Sequence, residues 1–186
     1  MTENLRLDLS NSTITSADTN NPTAGFLSLV STPQTDADDW NDDPDQILYL
    51  TEDGDHGAHS HYSNEYGTYY NWYTATAGNG TYDKTSGNTS GDICPSGWHL
   101  PEKDEYDDLI TDSGATILNS SPNNFVLSGY VNLDVTSSLD EGANGYYWTS
   151  TADGIYDAHA LSVDGTGSGT YNNSKYEGLT GRCLTD

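Results

Sequence analysis

CPSGWHLPEKDEYDDL, running from Cys94 to Leu109, decides the fold, because it joins one of only two cysteines to a helix start. The other cysteine, Cys183, lies close to the last residue, Asp186. A lone pair set so far apart in a loop-rich chain reads as one staple, tying a C-terminal strand to the loop before the helix. Downstream of Pro101, Glu102, Asp104 and Glu105 occupy the first helical turn, where carboxylates meet the positive end of the macrodipole. Tyr106, Leu109 and Ile110 fall on one face, as a helix packed on one side requires.

On either side of this helix the punctuation predicts strands. Leu5, Leu7 and Leu9 alternate with Arg6 and Asp8, the period of an edge-forming first strand. Residues 10–46 then turn polar, with Pro22, Pro33, Pro44 and the acidic run DADDWNDDPDQ, which predicts a long surface excursion. ILYL (Ile47 to Leu50) and the aromatic TYYNWYTA (Thr68 to Ala75) read as strands. So do FVLSGYVNL from Phe125, YYWTST from Tyr146 and AHALSV from Ala158; Gly165, Gly167 and Gly169 mark the turn that follows. Leu179 to Leu184 is predicted as the final strand. The expected core is Trp98, Leu100, Tyr106, Leu109, Phe125, Leu127, Trp148, Leu161 and Leu184.

Five segments carry a resemblance: YGTYYNWYTATAGNGTY (Tyr66 to Tyr82), SGDICPSGWHLP (Ser90 to Pro101), FVLSGYVN (Phe125 to Asn132), NGYYWTSTA (Asn144 to Ala152) and GRCL (Gly181 to Leu184). In this order they resemble the Fibrobacter succinogenes major paralogous domain family, extracellular modules related to the C-type lectin-like fold. The resemblance implies an α+β domain over residues 1–186, with a mixed, mostly antiparallel sheet, one or two helices and long loops. Residues 10–65 match the family poorly and form its divergent acidic region. The opening MTENLRL resembles the family's first strand, which implies that Met1 is internal to a longer precursor. Where the family carries a capping Thr after the proline, this chain has Glu102, so the helix cap is expected to be weak.

Composition narrows the partners. A formal net charge of -24, from 29 acidic against 5 basic residues, leaves too few cations to hold a phosphate backbone, so no nucleic-acid partner is expected. No apolar run approaches the ~18 residues that would span a bilayer, and no direct membrane insertion is expected. Fourteen Tyr and four Trp supply the large apolar faces that two Phe and one Met cannot.

No nucleophile elbow, phosphate loop, zinc HExxH pair or dinucleotide fingerprint is present, and no enzyme is expected. His56, His59 and His61 lie near Asp53 and Asp55 and offer zinc or nickel ligands, though the same residues suit a solvated loop. The acids from Asp36 to Asp45 offer calcium oxygens without the spacing or central glycine of an EF-hand loop. The metal question stays open, and no cofactor is expected, with calcium the one alternative.

The remaining signal is DGIYDAHALSVDGTGSGTYNNSKY, Asp153 to Tyr176, which is rich in the Tyr, Asn, Ser, Asp and Gly of adaptable binding surfaces. Asp153, Tyr156, Asp157, His159, Tyr171, Asn172, Asn173 and Tyr176 are expected to form one exposed ligand-binding face, with Cys94 and Cys183 in the disulfide beneath. The expected ligand is a protein or glycan on another cell or surface, met by a module displayed on the cell surface or a virion. The variable segment of retroelement-diversified C-type lectin-like proteins occupies the same place in the chain. A structural or adhesive repeat of a large surface protein, with no dedicated pocket, is the alternative.

Overall fold

Consecutive large aromatic side chains at Tyr147 and Trp148 must point to opposite faces of a strand, and both are fully buried. The sheet they belong to is therefore covered on both sides. The computed structural model describes residues 4–5, 60–63, 66–76, 84–94, 97–113, 118–120, 123–131 and 139–185. The expected strand beyond Leu5, the acidic run, ILYL and the side chains of the histidine-rich segment lie outside the described residues.

In chain order the elements are β1 (Ser60–Ser63), β2 (Gly67–Tyr70), α1 (Trp72–Ala75), β3 (Ser86–Asn88), β4 (Trp98–His99), α2 (Lys103–Ser113), β5 (Asn144–Asp153), β6 (Asp157–Asp164), β7 (Ser168–Ser174), β8 (Leu179–Thr180) and β9 (Leu184–Thr185). Six strands run in the order β1-β2-β8-β5-β6-β7, with β3 also paired to β5, while β4 and β9 form a separate ribbon. The β5–β8 pairing is parallel and the other strand pairings are antiparallel, so the fold is α+β with a mixed sheet.

One face carries Tyr147, Leu161 and Val163 beneath Tyr106 of α2, Leu118 and Phe125. Its aromatic rings meet edge to face, Phe125 lying 4.8 Å from Tyr147 and 6.2 Å from Tyr106 between centroids. The opposite face carries Trp148, Ala158, Ala160 and Leu179 against Tyr70, Trp72, Ile93 and Leu100. Cys94 and Cys183, 89 residues apart, are bonded within this second core, with Cα atoms 5.9 Å apart and neither side chain exposed. No helix among the described residues is long and apolar enough to cross a membrane.

Four expectations need correction. TYYNWYTA is not one strand: β2 ends at Tyr70 and Asn71 caps a helical turn, its Oδ1 accepting from Thr74 N at 2.9 Å. Among its described residues FVLSGYVNL makes isolated bridges at Gly129, Tyr130 and Val131 and no strand. Gly129 sits at φ +68, and a Cβ there would fall 2.0 Å from the Leu139 carbonyl oxygen, so a continuous ladder is broken at that point. The predicted last strand is divided into β8 and β9, with Cys183 between them. Of the expected core residues, Trp98, Leu109, Leu127 and Leu184 are half-buried and the other five are buried.

The expected weak helix cap is also replaced. Thr151 of β5 supplies the missing hydroxyl, its Oγ1 accepting from Lys103 N at 2.9 Å. Glu105 completes the other half of a capping box, accepting from Glu102 N at 2.8 Å. The hydroxyl half of the cap is tertiary, so no local sequence pattern could contain it.

Candidate functional site

β7 and β8 are separated in the sheet by β6 and β5, yet only Lys175 to Gly178 join them. Three strand spacings are at least roughly 14 Å, and the five residue steps from Ser174 to Leu179 span roughly 17 Å when extended. The connection is therefore a short strap laid across one face of the sheet, from the β5–β6 turn toward the start of β8, and it turns as it leaves β7, Glu177 N donating to the Ser174 carbonyl at 2.9 Å.

Lys175 pins the strap. Its side chain is fully buried, and Nζ donates to the carbonyl oxygens of Lys84, Gly154 and Ile155 at 2.7, 2.9 and 3.0 Å. Nζ also lies 4.7 Å from the Trp72 ring centroid, a cation–π contact. All three ammonium protons thus have acceptors. Burial pushes its pKa down to about 8, with Asp157 opposing the shift. Tyr176, next along the strap, is 6% exposed and packs on Tyr73 at 5.9 Å between centroids. Tyr176 therefore belongs to the core, contrary to its expected place on the binding face.

Strand alternation divides the other candidates. In the β6–β7 ladder His159 faces Asn172 and Ala160 faces Tyr171, so Asn172 and Tyr171 point to opposite sides. On the helix side, His159 Nε2 lies 4.0 Å from Asp153 Oδ2, and its buried Nδ1 has no hydrogen-bond partner among the described residues. Close by, Asp107 of α2 bonds Lys103 Nζ and accepts from Thr170 Oγ1 at 2.7 Å. Burial would raise the Asp107 carboxyl, but those two bonds hold it below the ordinary carboxylate range. Asp157 is pushed up by burial and by Asp153. Tyr156 stands at the β5–β6 turn, 51% exposed beside Ile155 at 41%.

On the strap side, Tyr171 is 61% exposed and Asn173 Nδ2 donates to Glu177 Oε2 at 3.1 Å. A Cβ on Gly169 would lie 3.0 to 3.2 Å from Tyr171 ring and hydroxyl atoms, so the ring lies over the glycine. Across the sheet from Gly169 come Ser162 and Tyr146, in one row. Tyr146 packs edge to face on Tyr130 at 5.3 Å, and its hydroxyl donates to Asp140 Oδ2 at 3.1 Å. Burial, then that bond, push the Tyr146 hydroxyl up to about 12. Burial also raises Glu177, against hydrogen bonds from Asn173 and Ser174.

Two features were not anticipated from sequence. The first is this strap-side set of Tyr130, Tyr146, Ser162 and Glu177; the available signal was the GTY triplet at Gly169 to Tyr171, where a missing side chain leaves room for a ring two residues on. The second is an open polar cleft of about 420 Å³, lined by Thr89, Ser90, Gly91, Asp92, His99, Leu100, Glu102 and Ser150. There His99 Nε2 meets both Glu105 oxygens at 2.9 and 3.0 Å. Among the described residues no three His, Cys, Asp or Glu side chains converge as a metal site. No family model, curated protein or solved structure matches this chain.

Proposed function

We propose that this chain is a ligand-binding module of C-type lectin-like type, displayed outside the cell or on a virion, and that it is not an enzyme. Its contact surface is the strap side of β5, β6 and β7 together with the β5–β6 turn. The observation that carries the reading is Tyr171, 61% exposed over Gly169 with Tyr156 at 51% on the nearby turn. Exposed tyrosines set beside amides and carboxylates are the residues binding surfaces favour. The disulfide supports an oxidising, extracellular setting. The lectin-like assignment draws support from the bond between the loop before α2 and the chain's last segment.

The double variant Tyr156→Ala, Tyr171→Ala tests the reading. Both positions are exposed, so its stability is expected to stay within about 0.5 kcal/mol of the wild type, while capture of ligand from intact cell surfaces is lost. Undiminished capture by the folded variant would remove this face from the proposal. Diversification by a retroelement is part of the same reading. It requires a reverse transcriptase gene and a near-copy of the Asp153 to Tyr176 coding segment beside this gene; a genomic locus with neither ends that part.

A further inference from the structure

We infer that the strap-side face takes a positively charged side chain, lysine or arginine, from a protein partner. This rests on the binding reading above and names the chemistry of its ligand. Tyr146, Ser162 and Gly169 stand in one row across three strands, and the Tyr171 ring lies over the last of them. Tyr146 and Tyr171 are therefore about two strand spacings apart, roughly 10 Å, with only the small Ser162 between. A cation above Ser162 would stand about one strand spacing, roughly 5 Å, from the Tyr171 ring over Gly169, inside the ~6 Å reach of a cation–π contact, with Tyr146 on its other side.

Carboxylates border the same groove. Glu177 closes the strap side, held by Asn173, and Asp140 lies beyond Tyr146 on its hydroxyl. Among the described residues, three basic side chains are engaged elsewhere. Lys175 is bonded to three carbonyls beneath the strap, and Lys103 to Asp107 on the helix side. Arg182 is buried on the helix side, 4.0 Å from the Phe125 ring centroid. Lys84 precedes β3 against the β5–β6 turn, where its carbonyl accepts from Lys175. Charge complementarity therefore selects a cation, and the two tyrosines select one on an apolar stem that can lie between rings.

The test uses two fluorescein-labelled peptides, one alternating lysine with glycine and the other with glutamine at each lysine position. Binding to the intact protein is followed by anisotropy. The lysine peptide is expected to bind, weakening more than about tenfold between low and physiological salt, and the glutamine peptide is expected not to. Tyr171→Ala is expected to weaken binding about fivefold, Tyr171→Phe to leave it unchanged, and Glu177→Gln to weaken it. Asp108→Asn, an equal charge change on the exposed side of α2, is expected to have no effect.

Equal losses from Asp108→Asn and Glu177→Gln would mean that overall acidity attracts the peptide, and would overturn the inference. So would binding of both peptides alike, or salt-independent binding of a neutral oligosaccharide such as cellohexaose in place of the lysine peptide. If neither peptide binds while the Tyr156, Tyr171 double variant still loses its cell-surface ligand, the cationic ligand is wrong and the binding face stands.

Discussion

Lys175→Met is expected to lower the unfolding free energy by about 3 to 5 kcal/mol. Two effects compete. Removing a buried charge relieves its desolvation, which by itself favours the apolar replacement. Against this, the carbonyls of Lys84, Gly154 and Ile155 lose a shared donor, and each acceptor left dry costs about 1 to 3 kcal/mol. Three such groups outweigh one relieved ammonium, and methionine restores the stem without restoring any donor. Urea unfolding measures the difference, and a loss under about 1 kcal/mol would show that solvent reaches these carbonyls.

The pH dependence carries the same sign logic. Burial sets the folded ammonium at about 8, against an ordinary 10.5. Between those values the unfolded chain binds more protons, so this residue adds stability as pH rises through the window. Below pH 8 both states are protonated and the contribution is flat. The gap between wild type and Lys175→Met is therefore expected to widen from pH 8 toward pH 10, and a gap that narrows instead would contradict the depressed lysine.

Breaking the Cys94–Cys183 bond is the second large change. In the chain-entropy picture, a link 89 residues long stabilises by about 4 to 5 kcal/mol at 25 °C. Both sulfurs lie in the core shared with Trp72, Trp148 and Leu100, so Cys94→Ser with Cys183→Ser also brings two hydroxyls into an apolar setting. Mild reduction separates the contributions, since the thiols keep their apolar character. Mass spectrometry of the unreduced, folded protein should find no free thiol, and two free thiols would remove the basis of this prediction.

The helix start, the longest strands and the cysteine pairing were legible in the chain because their signals are local or nearly unique. Pro101 and three acids mark α2, and the aromatic YYWTST from Tyr146 marks a strand. What could not be read is what distant segments supply. Thr151 caps α2 from another element, and Gly129 breaks a strand because the Leu139 carbonyl approaches it. The binding face was half legible for the same reason. Composition picked out Tyr171 and Asn173, but it cannot say that Asn172 between them points the other way, or that Tyr176 enters a strap and is buried.

That strap is built on a hydrogen-bonded turn, Glu177 N on the Ser174 carbonyl. Shortening the segment by one residue would remove that turn and draw Glu177 away from Asn173. Lengthening it would lift Glu177 away from Asn173 and loosen the hold on Lys175. The face can therefore be repainted, residue by residue, on Tyr171, Asn173 and their neighbours, but it cannot be resized. Whatever this surface meets, the frame around it is a fixed gauge.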